Sequence, residues 1–97
     1  MRYGLSLFLW TDALSDAVLP LLDEIKKIGY DTVEIPIFEW DVAKYALWGK
    51  RLNEAGLART AATIRGPGDN PISPDPAIRR KGIEMNKASV ECAAAAG

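Results

Sequence analysis

Three short apolar segments alternate along the chain with three longer segments in which apolar residues recur at helical spacing. The apolar segments cover residues 3–10, 32–37 and 58–64, and the helical segments cover residues 16–28, 42–55 and 76–96. Strands of this length that alternate with helices are typical of βαβ units. The pattern therefore predicts an α/β fold with a parallel sheet and the helices outside.

The spacing of these units is nearly constant. Strand starts recur near residues 3, 31 and 58, a period of about 28 residues. The chain stops after a further glycine, where a fourth strand is expected. We therefore expect residues 1–97 to be a single partial domain, the first three βα units of a (β/α)8 TIM barrel. The alternative is a complete α/β domain of this size, which would leave two open sheet edges.

The polar residues within this pattern define which faces are buried. Residues 3–10 are apolar apart from Ser6, as in a strand covered on both faces.

Pro20 indicates either that the regular first helix begins near it or that this helix is kinked. The expected inner residues are Leu21, Leu22, Ile25 and Ile28 in the first helix and Val42, Tyr45, Ala46, Leu52 and Ala55 in the second.

Residues with special backbone preferences predict the helix ends. Gly29 and Gly56 follow the first two helices, where a left-handed residue commonly ends a helix. Asp41 and Asp75 precede the second and third helices and are expected to be N-caps. Pro76 then stands at the first position of the third helix, where the missing N–H group costs nothing.

Glu34 interrupts the β-branched second strand. A lone buried charge is unfavourable, so this carboxylate is expected to be hydrogen-bonded, paired or functional. In a sheet that is open to water, Glu34 would instead be solvated, or paired with a nearby group such as Arg65.

Composition excludes several classes of protein. The net charge is −1, from 12 basic and 13 acidic residues, and no basic cluster suggests a nucleic-acid or membrane-surface partner. No segment reaches membrane-span length and no signal peptide is recognisable, so we expect a cytoplasmic protein. The lone Cys92 is expected to be a buried packing residue. Because there is no histidine, a Ser-His-Asp site or a histidine metal ligand is excluded within these residues.

Two motifs resemble a known family. Residues 29–35 (GYDTVEI) resemble the second strand of the sugar phosphate isomerase/epimerase superfamily, the xylose isomerase-like TIM barrels. Residues 66–67 (GP) and 73–79 (SPDPAIR), followed by Gly82 and Glu84, resemble the ketose 3-epimerases that act on tagatose and psicose.

The resemblance implies a barrel with its site at the carboxyl ends of the strands. It also implies one divalent metal, manganese, cobalt or magnesium, held by two glutamates, an aspartate and a histidine on later strands. The glutamate pair moves a proton at C3 of the sugar through an enediolate. Because those four ligands are expected beyond residue 97, we predict no catalytic residue, no metal ligand and no bound metal in this chain alone.

The resemblance assigns four substrate-binding residues. Phe8 and Trp10 correspond to the aromatic wall beside the sugar, Gly66 to a glycine that the substrate approaches closely, and Glu34 to a supporting carboxylate. Each also has an ordinary structural interpretation: core aromatics, a turn glycine and a hydrogen-bonded barrel carboxylate. Arg65, at the end of the third strand, could meet a phosphate or an acidic neighbour.

The sequence supports two main functional hypotheses. The first is the N-terminal part of a metal-dependent sugar epimerase or isomerase, which binds a small ketose or sugar phosphate, is inactive alone and is a homo-oligomer when full length. The second is a small non-enzymatic α/β module that self-associates through open sheet edges. Endonuclease IV-like DNA repair on the same barrel is disfavoured by the near-neutral charge.

Overall fold

The computed structural model describes residues 1–97 and contains three parallel strands and three α-helices in alternation. The strands are β1 (Gly4–Ser6), β2 (Thr32–Pro36) and β3 (Ala58–Ala62), and the helices are α1 (Leu19–Ile28), α2 (Val42–Glu54) and α3 (Pro76–Ala96). The sheet order is β1-β2-β3, and both pairings are parallel. The predicted α/β fold is confirmed.

The predicted helix ends are confirmed. Gly29 (φ +118°) and Gly56 (φ +73°) adopt the left-handed conformation after α1 and α2. The Asp41 carboxylate accepts a hydrogen bond from the Lys44 N–H at 3.1 Å. The Asp75 carboxylate accepts one from the Ala77 N–H at 2.9 Å, so both aspartates cap their helices.

The first strand is shorter than predicted. It ends at Ser6, and Leu7–Leu9 form a turn of 3-10 helix instead of continuing the strand. The Ser6 hydroxyl accepts a hydrogen bond from the Phe8 N–H at 3.3 Å and so caps this turn. A serine near the end of an apolar run therefore stops the strand, because its side chain offers the backbone a local partner. β3 also ends early, at Ala62 and not at Ile64.

The first helix begins later than residue 16. Asp16–Val18 form a 3-10 turn, and α1 starts at Leu19 with Pro20 in its first turn. Of the two interpretations of Pro20, the start of the regular helix is correct. The assignment of Ile28 to the inner stripe is wrong, because this side chain is 72% exposed.

The two faces of the sheet differ in polarity. Ser6, Glu34 and Thr60 lie side by side in register on one face, where Thr60 is exposed and Glu34 is half-buried. Val33 and Ile35, on the opposite face, are fully buried and belong to one core with residues of all three helices. The expectation of strands covered on both faces is therefore wrong for this chain: the helices cover one face.

The inner face of α2 is shifted from the one predicted. Tyr45, Trp48, Gly49 and Leu52 are buried, at the spacing i, i+3, i+4, i+7 of a single helix face. Val42 and Ala46 are exposed, so their assignment to the inner side is wrong. Trp48, which sequence reasoning left out, is the largest fully buried side chain.

Helices α2 and α3 approach each other at Gly49. A Cβ atom at this position would lie 2.7 Å from the carbonyl oxygen of Ala96, so only glycine allows this contact. Cys92 is fully buried in the same core, as predicted. None of the helices is long and apolar enough to cross a membrane.

We expect the buried Tyr45 side chain to make the folded chain less stable at alkaline pH. Its side chain is 2% exposed, and burial raises the pKa of the phenol above its ordinary value of 10.0. As the pH rises, the unfolded chain therefore releases this proton before the folded chain does. The contribution of Tyr45 to stability is full below about pH 10 and is lost as the pH rises through the folded pKa.

We expect urea unfolding between about pH 8 and pH 11 to show this decline, and Tyr45→Phe to reduce its slope. The Cys92 thiol, whose pKa burial also raises, acts in the same direction and stays present in both proteins. Tyr3→Phe is the matched control, because Tyr3 is 60% exposed. Equal slopes for Tyr45→Phe and the unmodified chain would contradict the prediction.

Candidate functional site

The carboxyl ends of the three parallel strands meet at one edge of the sheet. The segments that follow them begin with Leu7, Ile37 and Thr63. In parallel α/β folds, ligands bind at this edge, because the loops there vary while the strands below hold them rigidly. The side chains of these three segments are therefore the candidates for a site.

Two aromatic side chains from the segments after β1 and β2 contact each other at this edge. The rings of Phe8 and Phe38 meet edge to face, with their centroids 5.6 Å apart and their planes at 81°. Sequence reasoning identified Phe8 but missed Phe38. The available signal was its position just after the second strand, where the candidate edge begins.

Trp10 lies outside this pair. The 3-10 turn at Leu7–Leu9 changes the chain direction, and the Trp10 N–H donates to the Leu7 carbonyl at 3.0 Å. The Trp10 side chain is 52% exposed, so no core packing explains it. Its role beside a sugar stays a prediction.

Glu34 has a single hydrogen-bonding partner among the side chains. The Ser6 hydroxyl donates to its Oε1 atom at 2.8 Å, across the register pair of β1 and β2. The two side chains open into a cavity of about 440 Å³ on the polar face of the sheet, lined by Arg2, Gly4, Leu5, Ser6, Thr32, Glu34 and Thr60. Glu34 thus keeps one carboxylate oxygen available to a ligand in this cavity.

Arg65 does not pair with Glu34. Its guanidinium contacts the Asp69 carboxylate at 3.3 Å, donates to the Thr63 hydroxyl, and lies 5.8 Å from the ring of Trp40. The acidic neighbour that the sequence suggested for Arg65 is therefore Asp69. Because Trp40 follows β2 and Asp69 follows β3, one partly buried arginine connects two loops of the candidate edge.

Gly66 begins the loop that Asp69 closes. Its N–H donates to the Asp69 carboxylate at 2.6 Å. A Cβ atom on Gly66 would meet no heavy atom closer than 3.8 Å, and its φ of −104° suits any residue. Nothing inside the chain requires a glycine here, so the predicted close approach of a substrate stays a prediction.

The residues of this chain do not fit a divalent metal. No three His, Cys, Asp or Glu side chains are grouped so that they could hold an ion. Glu34 is the one carboxylate in the cavity on the polar face, and a metal centre of the expected kind needs several anionic or imidazole ligands.

Comparison with solved structures identifies the fold. The D-psicose 3-epimerase solved in the presence of D-fructose superposes on 99% of this chain with a TM-score of 0.81 and 22% sequence identity. A protein assigned as a sugar phosphate isomerase/epimerase, from Anabaena variabilis ATCC 29413, superposes on all of it with a TM-score of 0.75 and 21% identity. The chain has the fold of three βα units of these TIM-barrel epimerases.

The chain spans about a third of the length of these structures, 34% and 35% respectively. No family model and no curated protein matches the sequence. At this level of identity the likeness establishes the fold alone, and the three βα units are the part that the chain shares with these structures.

Proposed function

We propose that the chain is the N-terminal part of a metal-dependent sugar isomerase or epimerase of the ketose 3-epimerase kind, cytoplasmic and homo-oligomeric when full length. The observation that supports this most is its superposition over 99% of its length on a D-psicose 3-epimerase. The two sequence motifs that resemble the same family lie in β2 and at the start of α3. In this proposal the chain supplies part of the substrate pocket and is inactive alone.

The polar face and the aromatic pair suit a ketose or sugar phosphate. The flat rings of Phe8 and Phe38 can pack against the C–H groups of a sugar, and Trp10 and Gly66 are the other residues that this proposal assigns to the substrate. The Glu34 carboxylate, oriented by Ser6, can accept a hydrogen bond from a sugar hydroxyl. This proposal assigns proton transfer at C3, and the divalent metal (Mn, Co or Mg), to residues outside this chain, because Glu34 is the one carboxylate in the cavity on the polar face and no three ligand side chains are grouped to hold a metal.

A chimaeric enzyme tests this proposal. Residues 1–97 replace the superposed third of D-psicose 3-epimerase, and interconversion of D-psicose and D-fructose is measured with Mn²⁺. We expect turnover by the chimaera and none by the 97-residue chain alone. A folded, metal-loaded chimaera without turnover, or turnover by the isolated chain, would contradict the proposal.

Within the chimaera, Glu34→Gln tests the polar face. We expect kcat/KM to fall about tenfold, the effect of one charge-assisted hydrogen bond. Glu54→Gln is the control, because this exposed carboxylate lies on α2, away from the strand ends. Equal kcat/KM values in the two variants would show that Glu34 does not contribute to the substrate site.

A further inference from the structure

The segment after β2 is the part of the candidate edge whose surroundings are most complete. β2 is the middle strand and pairs with β1 on one side and with β3 on the other. The segments that follow those two strands therefore lie on either side of the one that follows β2, and further barrel units would add their strands beyond β1 and β3. Trp40 belongs to this middle segment, and its side chain is 46% exposed.

Trp40 is held on one side by the loop after β3. The Arg65 guanidinium lies 5.8 Å from the centroid of its ring, within the range of a cation–π contact. The same guanidinium contacts the Asp69 carboxylate at 3.3 Å and donates to the Thr63 hydroxyl. The Gly66 N–H donates to the Asp69 carboxylate at 2.6 Å and so fixes it in turn. Arg65 therefore has little freedom to leave the Trp40 ring.

The backbone next to Trp40 is fixed as well. The Glu39 carboxylate pairs with the Lys44 ammonium of α2 at 2.9 Å. The Glu39 carbonyl accepts a hydrogen bond from the buried Cys92 thiol of α3 at 3.7 Å. On the other side of Trp40, Asp41 caps α2. The half-exposed indole is thus carried by a segment that is attached to two helices.

The burial of Arg65 is unfavourable for stability. Its side chain is 10% exposed, and its Nε atom is buried without a hydrogen-bond partner in this chain. A buried donor without a partner destabilises the fold, and an ion pair as buried as that of Arg65 with Asp69 adds little net stability. An apolar side chain at position 65 would avoid both effects. A local arrangement that opposes stability in this way is typical of functional sites.

We propose that Trp40 is a further substrate-contacting residue of the site and that Arg65 is the residue that positions it. The exposed part of the indole packs against the C–H groups of a sugar, as do the rings of Phe8 and Phe38, and the guanidinium keeps the indole in place. Arg65 therefore acts through Trp40. This inference rests on the proposed function, because it takes the ligand to be the same sugar.

Sugar binding to the chimaeric enzyme tests the role of Trp40 without requiring turnover. Isothermal titration calorimetry with an equilibrated mixture of D-psicose and D-fructose gives a dissociation constant whether or not the two sugars are interconverted. We expect Trp40→Ala to bind about tenfold more weakly, and Trp40→Phe, which retains a flat ring, less than about threefold more weakly. Tyr3→Ala is the matched control and is expected to bind normally, because Tyr3 is an exposed aromatic residue before β1, at the opposite end of the strands.

A double-mutant cycle separates positioning by Arg65 from a general structural role. We expect Arg65→Gln to weaken binding about fivefold alone, but less than about twofold when residue 40 is already alanine, because Arg65 acts through the ring. Arg65→Lys keeps the cation and loses the planar fork, so its binding is expected to lie between those of Arg65→Gln and the unmodified chimaera. Circular dichroism checks the folding of each variant, and Arg65→Lys replaces Arg65→Gln in the cycle if the latter is unfolded.

The outcomes distinguish this inference from the proposed function. Binding by Trp40→Ala like that of the unmodified chimaera would overturn the role of Trp40, and additive effects of Trp40→Ala and Arg65→Gln would overturn the role of Arg65. Neither result bears on turnover by the unmodified chimaera. A chimaera that binds the sugars without turnover contradicts the proposed function, while binding by its variants still decides the roles of Trp40 and Arg65. A folded chimaera that binds neither sugar would overturn both.

Discussion

Gly82→Ala is expected to destabilise the chain by about 3 kcal/mol, although alanine is the better helix former. Gly82 lies within α3, and a Cβ atom there would overlap the carbonyl oxygen of Asp69 and lie 2.6 Å from the backbone nitrogen of Pro71. These are backbone atoms, and Asp69 is itself held by Arg65 and by the Gly66 N–H. The loop therefore cannot move aside without losing these contacts.

Urea unfolding followed by circular dichroism measures this effect. Gly68→Ala is the matched control, because a Cβ atom at Gly68 meets nothing within 4 Å and its φ lies outside the left-handed region. We expect that control to change the unfolding free energy by less than about 0.5 kcal/mol. If Gly82→Ala were as stable as the unmodified chain, or more stable, helix propensity would outweigh the overlap and the close contact would be refuted.

Trp48→Ala is expected to cost about 3–5 kcal/mol, the range for removing a large aromatic side chain from a core. Trp48 is 2% exposed, and the Arg51 guanidinium lies 5.0 Å from its ring. The loss is a large part of the total stability of a domain of this size, which is typically about 5–15 kcal/mol. We therefore expect the variant to be substantially unfolded at moderate urea concentrations.

Trp10→Ala provides the comparison, because Trp10 is 52% exposed. We expect its unfolding free energy to stay within about 1 kcal/mol of the unmodified chain. Far-ultraviolet circular dichroism is the suitable probe, since both variants lack one tryptophan fluorophore. Similar losses in the two variants would show that Trp48 is not the centre of the core.

Local chemistry explains which structural predictions were correct. Gly29 and Gly56 end helices because left-handed backbone is nearly free of strain only for glycine, and Asp41 and Asp75 start helices because their side chains cap free N–H groups. Each of these effects acts over a few neighbouring residues. The alternation of strands and helices, and hence the parallel fold, follows from the same short-range patterns.

The candidate site was predicted only in part. Phe8 lies at the expected edge and Glu34 on the polar face of β2, but Phe38 and Ser6, which contact them, come from a different βα unit of the chain. These partners depend on the register of β1 against β2, which no short-range pattern encodes. The contact of Arg65 with Trp40 depends in the same way on how two loops pack, whereas Asp69 lies only four residues from Arg65 in the same loop.

The order of the elements, their caps and the α/β class could thus be deduced from residues close together in the chain. The burial of Trp48, the partner of Glu34 and the requirement for glycine at position 82 could not. Each of those depends on atoms brought together by folding from distant parts of the chain, where packing and hydrogen bonding across elements outweigh local preference. Nearby residues therefore largely determine where the strands and helices of a βα repeat form. The side-chain contacts at the edge of the sheet depend instead on how the strands pair.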